Sequence, residues 1–194
     1  MSSIESRDLL RLFAPTLPSG FRAEVFEKTW RFGAPPERVW AILSDPKTFT
    51  SGQIPPWRVE FLDLPDGRPG GFVEGCLNAH HGPGLSFHGV IGEVRAPEYR
   101  DLRYSYGSYA ISMRLVRPTR LQFFLEDRPE GGTLVRVRLD WQVRRWFRGP
   151  WHLLNHLFWS SFGLSTRILM KTRRGLRPDL ETATVEAGVR EGRG

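Results

Sequence analysis

Apolar and polar residues alternate along VFEKTWRF (25–32): Phe26, Trp30 and Phe32 share one phase, and Glu27, Thr29 and Arg31 the other. That period of two predicts a strand buried on one face. Lys28 falls in the apolar phase, where a long aliphatic stem can carry its ammonium to the strand edge. The period then changes. In APPERVWAILSDP, Pro35 and Pro36 suit a first helical turn, where a missing N–H costs nothing, and Glu37 complements the helix dipole. Val39, Trp40 and Leu43 recur at helical spacing, and Ser44 or Asp45 can cap a second short helix with Pro46 just inside it. Two short helices in tandem are expected.

From 57 to 145 strand-like runs alternate with turn chemistry. WRVEFLDL is closed by PDGRPGG, FVEGCLNA by HHGPG and LSFHGVIGEV by APEYR; RDLRYSYG, SYAISMRLV and RLQFFLED follow, and RPEGG leads into TLVRVRLDWQV. In that last run Val135, Val137, Leu139, Trp141 and Val143 oppose Arg136, Arg138, Asp140 and Gln142. The pattern is an antiparallel meander with one wet face. Residues 109–127 read equally as two strands or as one strand bent near Pro118.

After Arg148-Gly149-Pro150 a helix is expected to about Arg174, with Arg167, Lys171, Arg173 and Arg174 in the last turns, where the dipole favours them. No charged residue occurs from Gly149 to Thr166, which imitates a membrane span. His152, Asn155, His156, Ser160, Ser161, Ser165 and Thr166 make that segment too polar for a bilayer core. It reads as a largely buried helix, with an interfacial helix as the alternative.

Composition changes this picture only a little. A chain of 194 residues with 40% hydrophobic content, seven Trp and thirteen Phe suits one domain with a substantial core. The domain is expected over 24–175, after an N-terminal extension (1–23) whose residues 4–13 suit a short amphipathic helix, and before a flexible tail (176–194). The formal charge of +7 raises nucleic acid or anionic lipid as partners. The basic residues are spread along the chain and not gathered in one run, so no specific nucleic-acid site is expected. Cys76 is the single cysteine, which excludes an intrachain disulfide and a Cys-based zinc site and fits a reducing cytoplasm. It reads as a buried apolar thiol. MSSIESRDLLRLF has no long apolar core and is not expected to be a signal peptide.

The element order, with FEKTWRFGAPPERVWAILSDPKTF, EGGTLVRVRLDWQV and the apolar helix after it, resembles the START-like superfamily, also called SRPBCC. That group includes birch-pollen-allergen-like proteins, lipid-transfer START domains and polyketide cyclase/dehydrase-like proteins. The most specific piece is the strand-to-helix motif from Ala34 to Trp40, which belongs to the scaffold and not to any activity. The resemblance implies an α+β helix-grip: a curved antiparallel sheet wrapped around a long C-terminal helix, with two short helices between the first and second strands. It also implies a cavity for an apolar molecule between sheet and helix. Trp30, Trp57, Phe87, His88, Trp141, Leu154, Phe158 and Phe162 are the expected ligand contacts.

The histidines are the candidate chemistry. His80, His81 and His88 fall in NAHHGPGLSFHG, and His152 and His156 lie four apart on one helical face. The family topology places HHGPG, read as a hairpin loop, near the start of the last helix, so His81 or His88 is expected to meet His152 and His156 at the cavity mouth. Metal binding by His81, His152 and His156 is disfavoured, because HLLNH lacks the Glu of HExxH and adjacent His80 and His81 point to opposite sides of an extended chain. No carboxylate lies between Glu74 and Glu93 to complete a ligand set. His88 is ambiguous in phase unless Gly89 or Gly92 forms a bulge.

Two functions compete at this level. One is a carrier or sensor of a hydrophobic small molecule, a lipid, polyketide or aromatic ligand held by apolar burial. The other is an enzyme similar to polyketide cyclases and dehydratases, drawing on His88, His81, Tyr104, Tyr106, Tyr109 or Arg114. No cofactor is called for. Transient contact with a membrane surface is a third possibility, and monomer and homodimer both stay open.

Overall fold

The computed structural model describes residues 16–50, 58–82, 85–105 and 113–172. The expected helix over 4–13, the C-terminal tail and the run SYAISMRLV up to Ser112 lie outside them. The alternating segment forms β1 (Phe21–Phe32), in which Phe26, Trp30 and Phe32 are buried while Glu27, Thr29 and Arg31 are exposed. Lys28 reaches Ser160 on the C-terminal helix through its Nζ, 3.3 Å from Oγ.

Pro36 opens α1 (Pro36–Ser44), which buries Val39, Ile42 and Leu43. Asp45 then caps α2 (Pro46–Thr50): its carboxylate accepts from the Lys47 N–H at 2.9 Å, and its carbonyl accepts from the Thr48 N–H at 3.0 Å. These two helices carry the chain to β2 (Arg58–Phe61).

Five more strands follow as successive antiparallel neighbours: β3 (Leu77–Gly82), β4 (Leu85–Arg95), β5 (Tyr99–Tyr104), β6 (Val116–Asp127) and β7 (Thr133–Arg144). Among the described residues the sheet has seven strands in the order β1-β7-β6-β5-β4-β3-β2, so β1 closes against β7. Of the run 109–127, residues 109–112 lie outside the described residues; the described part holds one strand from Val116 with an irregularity between Pro118 and Arg120, because proline cannot donate to the ladder. A second irregularity between Ile91 and Val94 reconciles the two phases of β4, at Gly92 and not Gly89. There a Cβ on Gly92 would meet the Asp101 carboxylate.

A 3-10 turn (Arg145–Phe147) leads into α3 (Arg148–Thr172), which lies against the sheet's inner face. The helix buries Trp151, Asn155, Trp159, Phe162, Gly163, Thr166 and Met170, a single stripe at three- and four-residue spacing. The expectation of a largely buried helix is corrected: Leu153, Leu157, Leu164 and Ile168 stand 54–60% exposed on the opposite side. A single sheet covers only one side of a helix, and no second layer covers the other among the described residues. No described helix is long and apolar enough to cross a membrane.

Candidate functional site

The sheet curves away from α3 along part of its length and leaves a cavity of about 160 Å³. Strands β2 to β7 supply one wall through Val59, Phe87, Leu102, Leu121, Phe123 and Leu139; α3 supplies the other through Trp151, Leu154, Phe158, Trp159 and Phe162. Phe49 of α2 and Phe72, in the segment before β3, close one end. Leu154 is 44% exposed although it lines the cavity, so it marks the mouth.

Among the described residues, four polar ones interrupt this wall: His80, Arg100, Tyr104 and Asn155. Strand parity puts three of them there. Arg100, Leu102 and Tyr104 share the inner phase of β5, while Tyr99, Asp101 and Arg103 take the outer one. His80 takes the inner phase of β3 and meets Tyr104 edge-on, ring centroids 5.4 Å apart.

Arg100 is 1% exposed. Its Nη1 donates to the Leu43 carbonyl at 2.5 Å and the Ser44 hydroxyl at 3.1 Å, at the C-terminus of α1. The guanidinium carbon lies 3.8 Å from the Phe72 ring centroid and 4.6 Å from that of Phe123. Nε has no hydrogen-bond partner, and no described carboxylate forms an ion pair with this side chain.

Burial lowers the Arg100 pKa to about 9, so it remains charged at neutral pH. Burial, the Arg100 charge and then that of His81 hold His80 down to about 3, and its imidazole is neutral. Burial also pushes the Tyr104 phenol up, against the pull of Arg100, and keeps its proton on. Asn155 donates to the Trp151 carbonyl at 2.9 Å, one turn back along α3.

The other sequence candidates fall into distinct places. Phe87, Leu154, Phe158 and Phe162 line the cavity. Trp30 and Trp141 lie where α3 touches the sheet directly, so they are core and not cavity wall. Trp30 packs on Trp159 and Phe162, and Trp141 on Trp151 and His152. Trp57, Tyr106 and Tyr109 lie outside the described residues. His88 and Arg114 are exposed and face away from the cavity.

The histidines separate instead of meeting at the mouth. His80 and His81 belong to β3 and not to a hairpin loop, so their side chains point to opposite faces. His81 faces out, 3.4 Å from Glu60 on β2, whereas His152 lies 3.6 Å from Glu24 on β1, at the other edge of the sheet. His156 is exposed. No group of three or more His, Cys, Asp or Glu residues converges among the described residues. Cys76 is buried; its thiol lies 3.4 Å from both the Gly71 nitrogen and the Leu62 carbonyl, and burial raises its pKa.

No protein-family model matches the chain, and no curated protein matches its sequence significantly. Solved structures do match. An aromatase/cyclase from Streptomyces aligns at a TM-score of 0.62 and 13% identity, over 78% of this chain and 96% of that one. A START superfamily protein from Mycobacterium smegmatis aligns at 0.58 and 17%, over 76% and 97%. Norcoclaurine synthase from Thalictrum flavum, in complex with dopamine and hydroxybenzaldehyde, aligns at 0.57 and 13%, over 80% and 90%. The fold is the START-like helix-grip. At these identities the helix-grip neighbours establish architecture, and the site must carry the argument for function.

Proposed function

We propose that the protein binds a hydrophobic small molecule, of lipid, polyketide or aromatic type, between the sheet and α3. The carrying observation is the cavity of about 160 Å³ with aromatic and aliphatic walls. The fold neighbours add support, since one is an aromatase/cyclase and another is in complex with two small aromatic molecules. The single buried thiol is compatible with work in the cytoplasm. Native mass spectrometry of the gently purified protein should find a co-purified ligand. Neutral naphthalene derivatives should change the fluorescence of Trp151 and Trp159 saturably. A protein that retains no ligand and shows no saturable change would sink the reading.

A cyclase- or dehydratase-like activity is the second reading, and the meeting of His80, Tyr104 and Arg100 in the cavity favours it. The state of those groups weighs toward binding. A histidine held near 3 is a weak base at neutral pH, and a phenol pushed upward is a weak acid.

The exposed face of α3 suggests where a carrier collects its cargo. Leu153, Leu157, Leu164 and Ile168 form an apolar stripe with Arg145, Arg148, Arg167 and Lys171 toward its two ends, and no acidic residue occurs from Arg145 to Thr172. That combination fits transient docking on an anionic lipid surface.

A further inference from the structure

We infer that the ligand of this cavity carries an acidic oxygen group, a carboxylate or an ionised enol or phenol, and that the Nε edge of Arg100 receives it. The inference rests on the binding reading above and names the ligand class.

A buried cation without a counter-ion is costly, and proteins normally pair it. Arg100 is 1% exposed, and no described carboxylate pairs with it. Its other contacts fix its position without cancelling its charge. The two hydrogen bonds leave through Nη1 to the C-terminus of α1, whose dipole supplies only a partial negative charge. The rings of Phe72 and Phe123 lie within cation–π distance of the guanidinium. What stays unused is the edge bearing Nε, an edge that can present two parallel N–H groups to a carboxylate.

The surroundings match this polarity. Among the described residues, the cavity wall contains no Asp or Glu. Tyr104 keeps its phenolic proton, and neutral His80 carries one N–H; the His80 Nε2 has no partner. A wall rich in donors repels a cation and leaves a purely apolar ligand no means of satisfying the guanidinium. Size narrows the class further. A cavity of about 150 Å³ can hold benzene, so about 160 Å³ fits a compact ring system or a short chain beside its acid group. Leu154 marks the mouth and Arg100 is deeply buried, so the acid group enters first and the apolar body rests against α3.

Isothermal titration of the full chain with 2-naphthoate and with 2-naphthamide tests this. The two probes share a ring system and differ in charge. The acid should bind at least about tenfold more tightly. That preference should persist at about 0.5 M salt, since a buried pair escapes the screening that weakens surface attraction. Arg100→Gln should abolish the preference while naphthamide binding remains; the wild-type comparison stands if that variant fails to fold. Equal affinity for the two probes overturns the inference and leaves the cavity reading intact. A preference that vanishes with salt overturns it as surface attraction to a +7 chain. If neither probe binds, the cavity reading falls and the inference falls with it.

Discussion

The indole of Trp30 occupies the space in which a side chain at position 163 would stand: a Cβ on Gly163 would overlap Nε1 and Cδ1 of that ring. Trp159 and Phe162 hold the indole at centroid distances of 6.2 and 5.8 Å, so it has little room to swing aside. Alanine in a helix interior normally stabilises by about 1 kcal/mol over glycine. Here overpacking, worth about 1–3 kcal/mol, should win. Gly163→Ala is expected to lower stability by up to about 2 kcal/mol, read as a drop in Tm. On a Trp30→Leu background the same change should stabilise instead.

His80 makes the protein sensitive to acid. Its folded pKa of about 3 lies below the ordinary 6.5, so the unfolded chain binds the extra proton between those values. Its contribution is complete above about pH 6.5 and is lost progressively as pH falls toward 3. At pH 5 the loss should be about 2 kcal/mol. Urea unfolding across pH 7 to 4 should show that slope, and His80→Phe should flatten it.

Asp101 is fully buried on the outer side of the sheet and accepts from Arg103 Nε at 2.8 Å, Arg120 Nε at 2.7 Å and the Glu93 N–H at 2.7 Å. Asp101→Asn removes the charge that both arginines use. It should cost about 3 kcal/mol in chemical denaturation. Ligand binding should change little, because the network faces away from the cavity.

Leu121 sits in the cavity wall on β6 and is 5% exposed. Leu121→Trp would fill much of the free volume. Stability should move by less than about 1.5 kcal/mol, because the added atoms enter empty space. Affinity for neutral naphthalene probes should fall at least about tenfold. Unchanged affinity would place ligand elsewhere on the protein.

The stripe on α3 makes its own prediction. The protein should co-sediment with phosphatidylserine-containing vesicles, and less so at high salt or with phosphatidylcholine alone. Leu157→Glu with Leu164→Glu should abolish sedimentation without lowering Tm, since both positions are at least 58% exposed.

Much of this architecture was legible in the residue pattern. The alternation of β1 and β7 and the prolines of α1 each carry a local signal that the fold obeys. The site was less legible, because it depends on strand parity. In YRDLRY the inner phase is Arg100, Leu102 and Tyr104, and Arg100 brings a charge deep into the cavity. The neighbours Leu102 and Tyr104 were the available clue. The adjacent histidines are more conspicuous, yet a one-residue shift decides which of His80 and His81 faces inward, and a short polar run does not reveal the register. The exposed leucines of α3 are hidden from the sequence for another reason. An apolar helix tells nothing of how many sides its fold will cover.

The sheet order carries a last consequence. Every neighbouring pair from β2 to β7 is consecutive in the chain, but β1 pairs along its whole length with β7, from Phe21 opposite Arg144 to Phe32 opposite Thr133. On a ribosome, β1 emerges first and finds its partner last. Until then a strand bearing Phe26, Trp30 and Phe32 has no sheet to cover it, and such non-local closure slows folding. The apolar face of β1 therefore waits for its cover until β7 has been made.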